Sequence, residues 1–99
     1  MIARMWHGAV PLAKCGEYLK RMREVALPDY KSTPGNRGAY CLYREEEGVA
    51  HFEMLTYWDD IEAIKRFAGP DPEVAKYYDF DRAFLIELTP KVRHFTVYE

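Results

Sequence analysis

Phe52-Glu53-Met54-Leu55-Thr56-Tyr57-Trp58-Asp59-Asp60-Ile61-Glu62-Ala63-Ile64-Lys65-Arg66-Phe67-Ala68-Gly69 reads as strand, cap, helix and stop. Up to Trp58 the residues are mostly β-branched, aromatic or large and apolar, which suits a pleated, packed surface. Asp59 is then placed to accept from the free N–H groups of a first helical turn, with Glu62 reaching back in a capping box. Ile61, Ile64, Phe67 and Ala68 recur at helical spacing, and Gly69-Pro70 ends the helix. Packing and capping account for the whole stretch. Trp58 alone carries a second reading, as the wall of a ligand pocket.

Working outward, Ile2 to Gly8 reads as a first strand with alternate sets Ile2, Arg4, Trp6 and Ala3, Met5, His7. From Leu12 a stripe of Cys15, Leu19, Met22 and Ala26, broadened by Tyr18 and Val25, predicts a long helix that Pro28 bends or ends. Ser32-Thr33-Pro34-Gly35-Asn36 is a turn cluster. Gly38 to Arg44 and Val49 to Trp58 form a hairpin around Glu45-Glu46-Glu47-Gly48. Asp71-Pro72-Glu73 predicts a further helix reaching Tyr77 or Tyr78. Asp79 to Glu87 fits either a helical turn or an early strand, and Val92 to Tyr98 a last strand.

The resulting plan is α+β, a ferredoxin-like βαββαβ unit with a four-stranded antiparallel sheet of order 4-1-3-2. Helices cover one face of such a sheet. Yet both alternate sets of strand three are apolar, Phe52, Met54 and Trp58 on one side and Leu55 and Tyr57 on the other. The second face therefore calls for a second copy of the chain, a homodimer with Leu55 and Tyr57 at its interface.

Composition narrows the function. The 99 residues, 48% of them hydrophobic, make one domain, 1–99. A net charge of -2 from 14 basic and 16 acidic residues gives no footprint for nucleic acid or anionic lipid. Cys15 and Cys41 have no ligand-like spacing and read as free thiols, and with no membrane-length apolar run and no signal-peptide core the expected location is the cytoplasm. There is no phosphate loop, nucleophile elbow or nucleotide motif, so no cofactor is expected. His7, His51 and His94 fall near one end of the planned sheet and would bind a metal only if they shared a face; no spaced ligand motif supports one.

The start Met1-Ile2-Ala3-Arg4-Met5-Trp6-His7-Gly8, the turn Thr33-Pro34-Gly35-Asn36-Arg37-Gly38 and the strand end Leu55-Thr56-Tyr57-Trp58-Asp59-Asp60 resemble the antibiotic biosynthesis monooxygenase-like domain of the dimeric α+β barrel superfamily. The resemblance covers nearly the whole chain. It implies a homodimer whose sheets form a barrel, with a pocket in each subunit between sheet and helices. Cofactor-free quinol monooxygenases of the family place an aromatic at the position of Trp58 and commonly an amide earlier on the same face, where this chain has Met54. Haem-degrading relatives carry a helical His where this chain has Tyr77 and Tyr78, which argues against haem degradation.

Candidate site residues follow. Arg4 on a half-buried strand needs a partner, either a carboxylate such as Glu53 or an anionic or phenolate ligand. Tyr40, Tyr57, Tyr77 and Tyr78 are possible donors to a quinone oxygen or cover at an interface. The substrate pocket is assigned to Arg4, Trp6, Phe52, Met54, Trp58 and Tyr77. Two functions fit: a monooxygenase-like protein acting on a planar quinol- or anthrone-like aromatic that itself activates dioxygen, or a non-catalytic dimer that binds a small hydrophobic ligand or serves a stress response. A polar, rotamer-locked pocket favours the first, and a pocket filled by its own side chains the second.

Overall fold

The computed structural model describes all 99 residues. Four antiparallel strands, β1 (Ile2–Pro11), β2 (Asn36–Glu46), β3 (Val49–Trp58) and β4 (Arg93–Thr96), form one sheet in the order β2-β3-β1-β4. β1 does not stop at Gly8. It pairs with β3 along its whole length, Ile2 opposite Trp58 and Pro11 opposite Val49. Gly8 lies inside the strand because the Trp6 ring crosses it, where any Cβ would collide with the ring. β4 is shorter than the apolar alternation suggests and meets β1 only from Ile2 to Met5. Farther along, Ile86 N–H donates to the Ala9 carbonyl at 2.8 Å, so a loop caps the rest of that edge.

The hairpin turns on two residues, Glu47 and Gly48, both left-handed at φ 51° and 77°, the geometry whose twist matches the flanking strands. Glu45 and Glu46, expected in the turn, instead extend β2.

The first helical segment is continuous to Ser32 but changes gauge: a short 3-10 turn (Leu12–Lys14), α1 (Cys15–Arg21), a π-helical turn (Met22–Ala26) and α2 (Leu27–Ser32). Leu27 N–H donates five residues back to the Met22 carbonyl. Proline lacks an N–H and its ring clashes with the carbonyl four residues earlier, and a widened turn just before it relieves both problems. Tyr18, Met22, Ala26 and Tyr30 are the buried stripe, with Cys15 and Leu19 at its margin.

α3 (Ile61–Ala68) forms as expected, with one correction. Asp60 is the cap, its carboxylate accepting from Ala63 N–H at 2.9 Å, while Asp59 pairs with the Arg37 guanidinium. The helix expected over Asp71 to Tyr78 is absent. Asp71 does accept from Glu73 N–H at 3.0 Å, but Ala75 N–H then donates to the Pro90 carbonyl at 2.9 Å and Val74 bridges Lys91. These bonds to a distant strand-like segment take the donor that a helix would have used. Asp79–Ala83 is a 3-10 turn.

One face of the sheet carries the core: Trp6, Val10, Ala50, Phe52, Met54 and Trp58 pack against the Tyr18–Tyr30 stripe and against Ala63, Ile64 and Phe67 of α3. The other face has no cover of its own. Leu55 and Tyr57 sit there half-buried, beside Tyr40, Leu42 and Phe95, which are exposed. No helix is long and apolar enough to cross a membrane.

Candidate functional site between sheet and helices

The space between the sheet and the helical layer closes to a cavity of about 10 Å³, walled by Trp6, Tyr18, Tyr30, Met54, Tyr78 and Asp81 among others. That is room for about one water. Its walls are aromatic because β1 and β3 point Trp6 and Met54 upward while the helical stripe points Tyr18 and Tyr30 down. The segment after α3 forms the roof. Lys76 and the Tyr78 hydroxyl both donate to Asp29 of α2, at 2.9 and 2.6 Å.

Asp81 is the most unusual wall. It is 1% exposed and no cation pairs with it; Tyr18 Oη donates to it at 2.7 Å and Tyr78 N–H at 2.7 Å. Burial raises its pKa, against the lowering effect of those two hydrogen bonds. The Tyr18 hydroxyl is pushed up in turn, first by burial and then by its bond to Asp81. A carboxylate so placed accepts a proton more readily than one in water.

Arg4 is the second buried charge, with 0% exposure. Its Nη1 lies 3.5 Å from Tyr30 Oη, long for a hydrogen bond, and its guanidinium carbon lies 5.5 Å from the centre of the Phe67 ring. Glu53, the carboxylate the sequence offers as partner, lies on the opposite face of the sheet and makes no ion pair with it. Burial pushes Tyr30 up to about 12, with the nearby Arg4 charge pulling the other way.

The remaining assigned residues fall into two groups. Trp6 and Met54 line the cavity. Trp58 does not: it is fully enclosed, its Nε1 donates to Thr56 Oγ1 at 2.8 Å, and its ring packs on Tyr30 and Phe67. Phe52 is likewise behind the wall, edge-on to Tyr18 with centroids 5.0 Å apart. Tyr77 packs its ring edge against Trp6 and donates its hydroxyl to the Thr89 carbonyl. Tyr40 and Tyr57 meet edge to face on the uncovered side.

The three histidines do not converge. His7 Nε2 and His51 Nδ1 share a hydrogen bond of 2.9 Å on the uncovered face, while His94, opposite Arg4, is on the helix side. No group of three or more His, Cys, Asp or Glu side chains is placed to hold a metal ion.

Reasoning from sequence alone missed Asp81 and its partner Tyr18. The available signal was an acid inside the run Phe80-Asp81-Arg82-Ala83-Phe84, since a charge flanked by aromatics in a stretch that must pack is a candidate for burial.

In comparisons with protein-family models, with curated proteins and with solved structures, nothing matches this chain.

Proposed function

We propose that the chain is a homodimeric protein of the ferredoxin-like βαββαβ plan, similar to antibiotic biosynthesis monooxygenase-like domains, that binds a planar electron-rich aromatic between sheet and helices. The observation that carries the reading is Asp81, a buried carboxylate without a cation, in the wall of an aromatic cavity. A phenol or anthrone stacked against Trp6 and Tyr30 presents an acidic proton to it. Once that proton has moved, the ligand's anion is itself the reductant of dioxygen, and the protein supplies orientation and a water-poor site. For an anthrone the balance is a CH₂ group and O₂ giving a carbonyl and water. Because the cavity holds only about one water, the ligand enters by displacing the roof, whose ties to Asp29 are polar and partly solvated.

A second reading, binding without turnover, is favoured by that same filled cavity and by Met54, which gives a developing anion no hydrogen bond. Oxygen uptake and tryptophan fluorescence, followed while a hydroxyanthrone is titrated in, separate the two. Enzyme-dependent uptake that Asp81→Asn lowers at least about 100-fold, with binding retained, supports oxygenation through this carboxylate. Saturable quenching without uptake supports the binding module. The absence of both signals rejects the pocket for this ligand class.

A further inference from the structure

Four buried nitrogens in this protein have no hydrogen-bond partner: Arg4 Nε, Arg4 Nη2, Trp6 Nε1 and His94 Nε2. They belong to three neighbouring positions on the helix-facing side of the sheet. Arg4 and His94 stand directly opposite each other across β1 and β4, and Trp6 is two residues along the same face of β1. All four sit on side chains that can donate, and arginine keeps its charge at any ordinary pH.

No carboxylate answers them. The ion pairs of the protein are Arg37–Asp59, Arg44–Glu46, Lys65–Glu62 and Lys76–Asp29, and none involves Arg4. A lone guanidinium taken out of water costs several kcal/mol unless a counter-charge meets it. Orphaned donors at neighbouring positions of one sheet face mark where such a counter-charge belongs. Its shape follows from the donors: two parallel N–H groups of a flat guanidinium match the two oxygens of a planar carboxylate, and the indole of Trp6 and the imidazole of His94 offer further nitrogens from the same sheet face.

We propose that Arg4, Trp6 and His94 form a carboxylate subsite, and that the ligand of this protein is an aromatic acid whose carboxylate lies on Arg4. This rests on the aromatic-ligand reading above and narrows it. Tyr30 and Trp6 connect the two parts, since both line the cavity while Tyr30 Oη also approaches the guanidinium and Trp6 also turns an unpaired N–H into the structure. The ring occupies the cavity that those two side chains line, and its acid group reaches toward the orphaned donors.

The test is calorimetric titration of the full chain with 2-naphthoate, an anion at neutral pH, and with 2-naphthol, which stays neutral. The expected result is naphthoate binding at least about 10-fold tighter than naphthol, the scale of a charge-assisted pair over a neutral contact. In Arg4→Met that preference disappears while naphthol affinity changes by less than about 3-fold, and Trp6→Phe, which keeps a ring and removes the N–H, weakens naphthoate more than naphthol. Ligand-free Arg4→Met melts no lower than the wild type, because an uncompensated buried charge has been replaced by an apolar chain of similar length. A structural role for Arg4 predicts the reverse, a lower melting temperature. Equal affinity for the two ligands, or a preference that survives Arg4→Met, overturns the subsite and leaves the aromatic pocket standing. Binding of neither overturns both. Phosphate or chloride raising the melting temperature in an Arg4-dependent way without naphthoate binding overturns the aromatic acid and assigns the donors to a free inorganic anion.

Discussion

Trp58 and Trp6 show how the same residue type on one sheet face serves two ends. Trp58 has its N–H satisfied by Thr56, which in turn donates to the Arg4 carbonyl at 3.3 Å, so it belongs to the fabric of the core. Trp6 keeps its N–H free and faces the cavity. The Tyr18–Asp81 bond is a short, buried polar contact to a carboxylate. Tyr18→Phe is expected to lower unfolding free energy by about 1–3 kcal/mol, since it leaves a carboxylate oxygen enclosed without its donor. Urea unfolding measures this, and a loss below about 0.5 kcal/mol means that solvent reaches Asp81. Gly8→Ala is expected to cost about 1–3 kcal/mol through the collision with the Trp6 ring, which must leave its position for a Cβ to fit. Circular dichroism in the near ultraviolet should report that displacement as a changed tryptophan signal.

Among the elements, the cap of α3 and the changing gauge of the first helical segment carry most of the information. Asp59 and Asp60 are adjacent acids with different work, one in an exposed pair with Arg37 and one holding an end of the helix. Asp60→Ala should therefore cost about 1 kcal/mol and Asp59→Ala less than about 0.5, in chemical denaturation at moderate salt. Equal losses would show that both residues share the cap. The buried positions Tyr18, Met22, Ala26 and Tyr30 are spaced by four, wider than an α-helix keeps on one face. The π-helical turn takes more residues per turn and returns Ala26 and Tyr30 to the sheet, so the distortion ahead of Pro28 also aligns the stripe.

For the whole molecule the open question is what meets the uncovered face, where Tyr40, Leu42 and Phe95 remain exposed beside Leu55 and Tyr57. A second copy is expected, and sedimentation equilibrium at micromolar concentration should find a dimer, with the Leu55 and Tyr57 amides exchanging nearly as slowly as global opening allows. A stable monomer with fast exchange there removes the proposal. The His7–His51 pair lies on this face, and a pH-dependent stability is expected from it. Burial, then the neighbouring His51, lowers the His7 pKa from the ordinary 6.5. Above 6.5 the native and unfolded chains are both neutral at this group and its contribution is complete; below it the unfolded chain takes up the proton first, so stability falls as pH drops toward the lowered native value. The melting temperature should decline on acidification through this window, and His7→Gln should flatten the decline relative to the wild type.

Local pattern decided much of this molecule. The alternation along β1 and β3, the strand-cap-helix run and the hairpin are properties of neighbours in the chain, so period and turn chemistry reveal them, together with the division of Phe52, Met54 and Trp58 from Leu55 and Tyr57. Parity groups Arg4 with Trp6 within β1 and Met54 with Phe52 and Trp58 within β3, whereas the register that joins these sets on one face belongs to the tertiary structure. What only the tertiary structure decided is where competing local preferences met distant partners. Asp71 accepts from Glu73 N–H as the expected helix cap would, but the Pro90 carbonyl takes the Ala75 N–H and no helix forms. Asp81 gains its character from Tyr18, 63 positions away, and Arg4 shows its lack of a carboxylate only once Glu53 is seen on the other face. Burial and pairing are relations between segments far apart in the chain, and the free energy of a charge depends on what encloses it rather than on its neighbours in sequence.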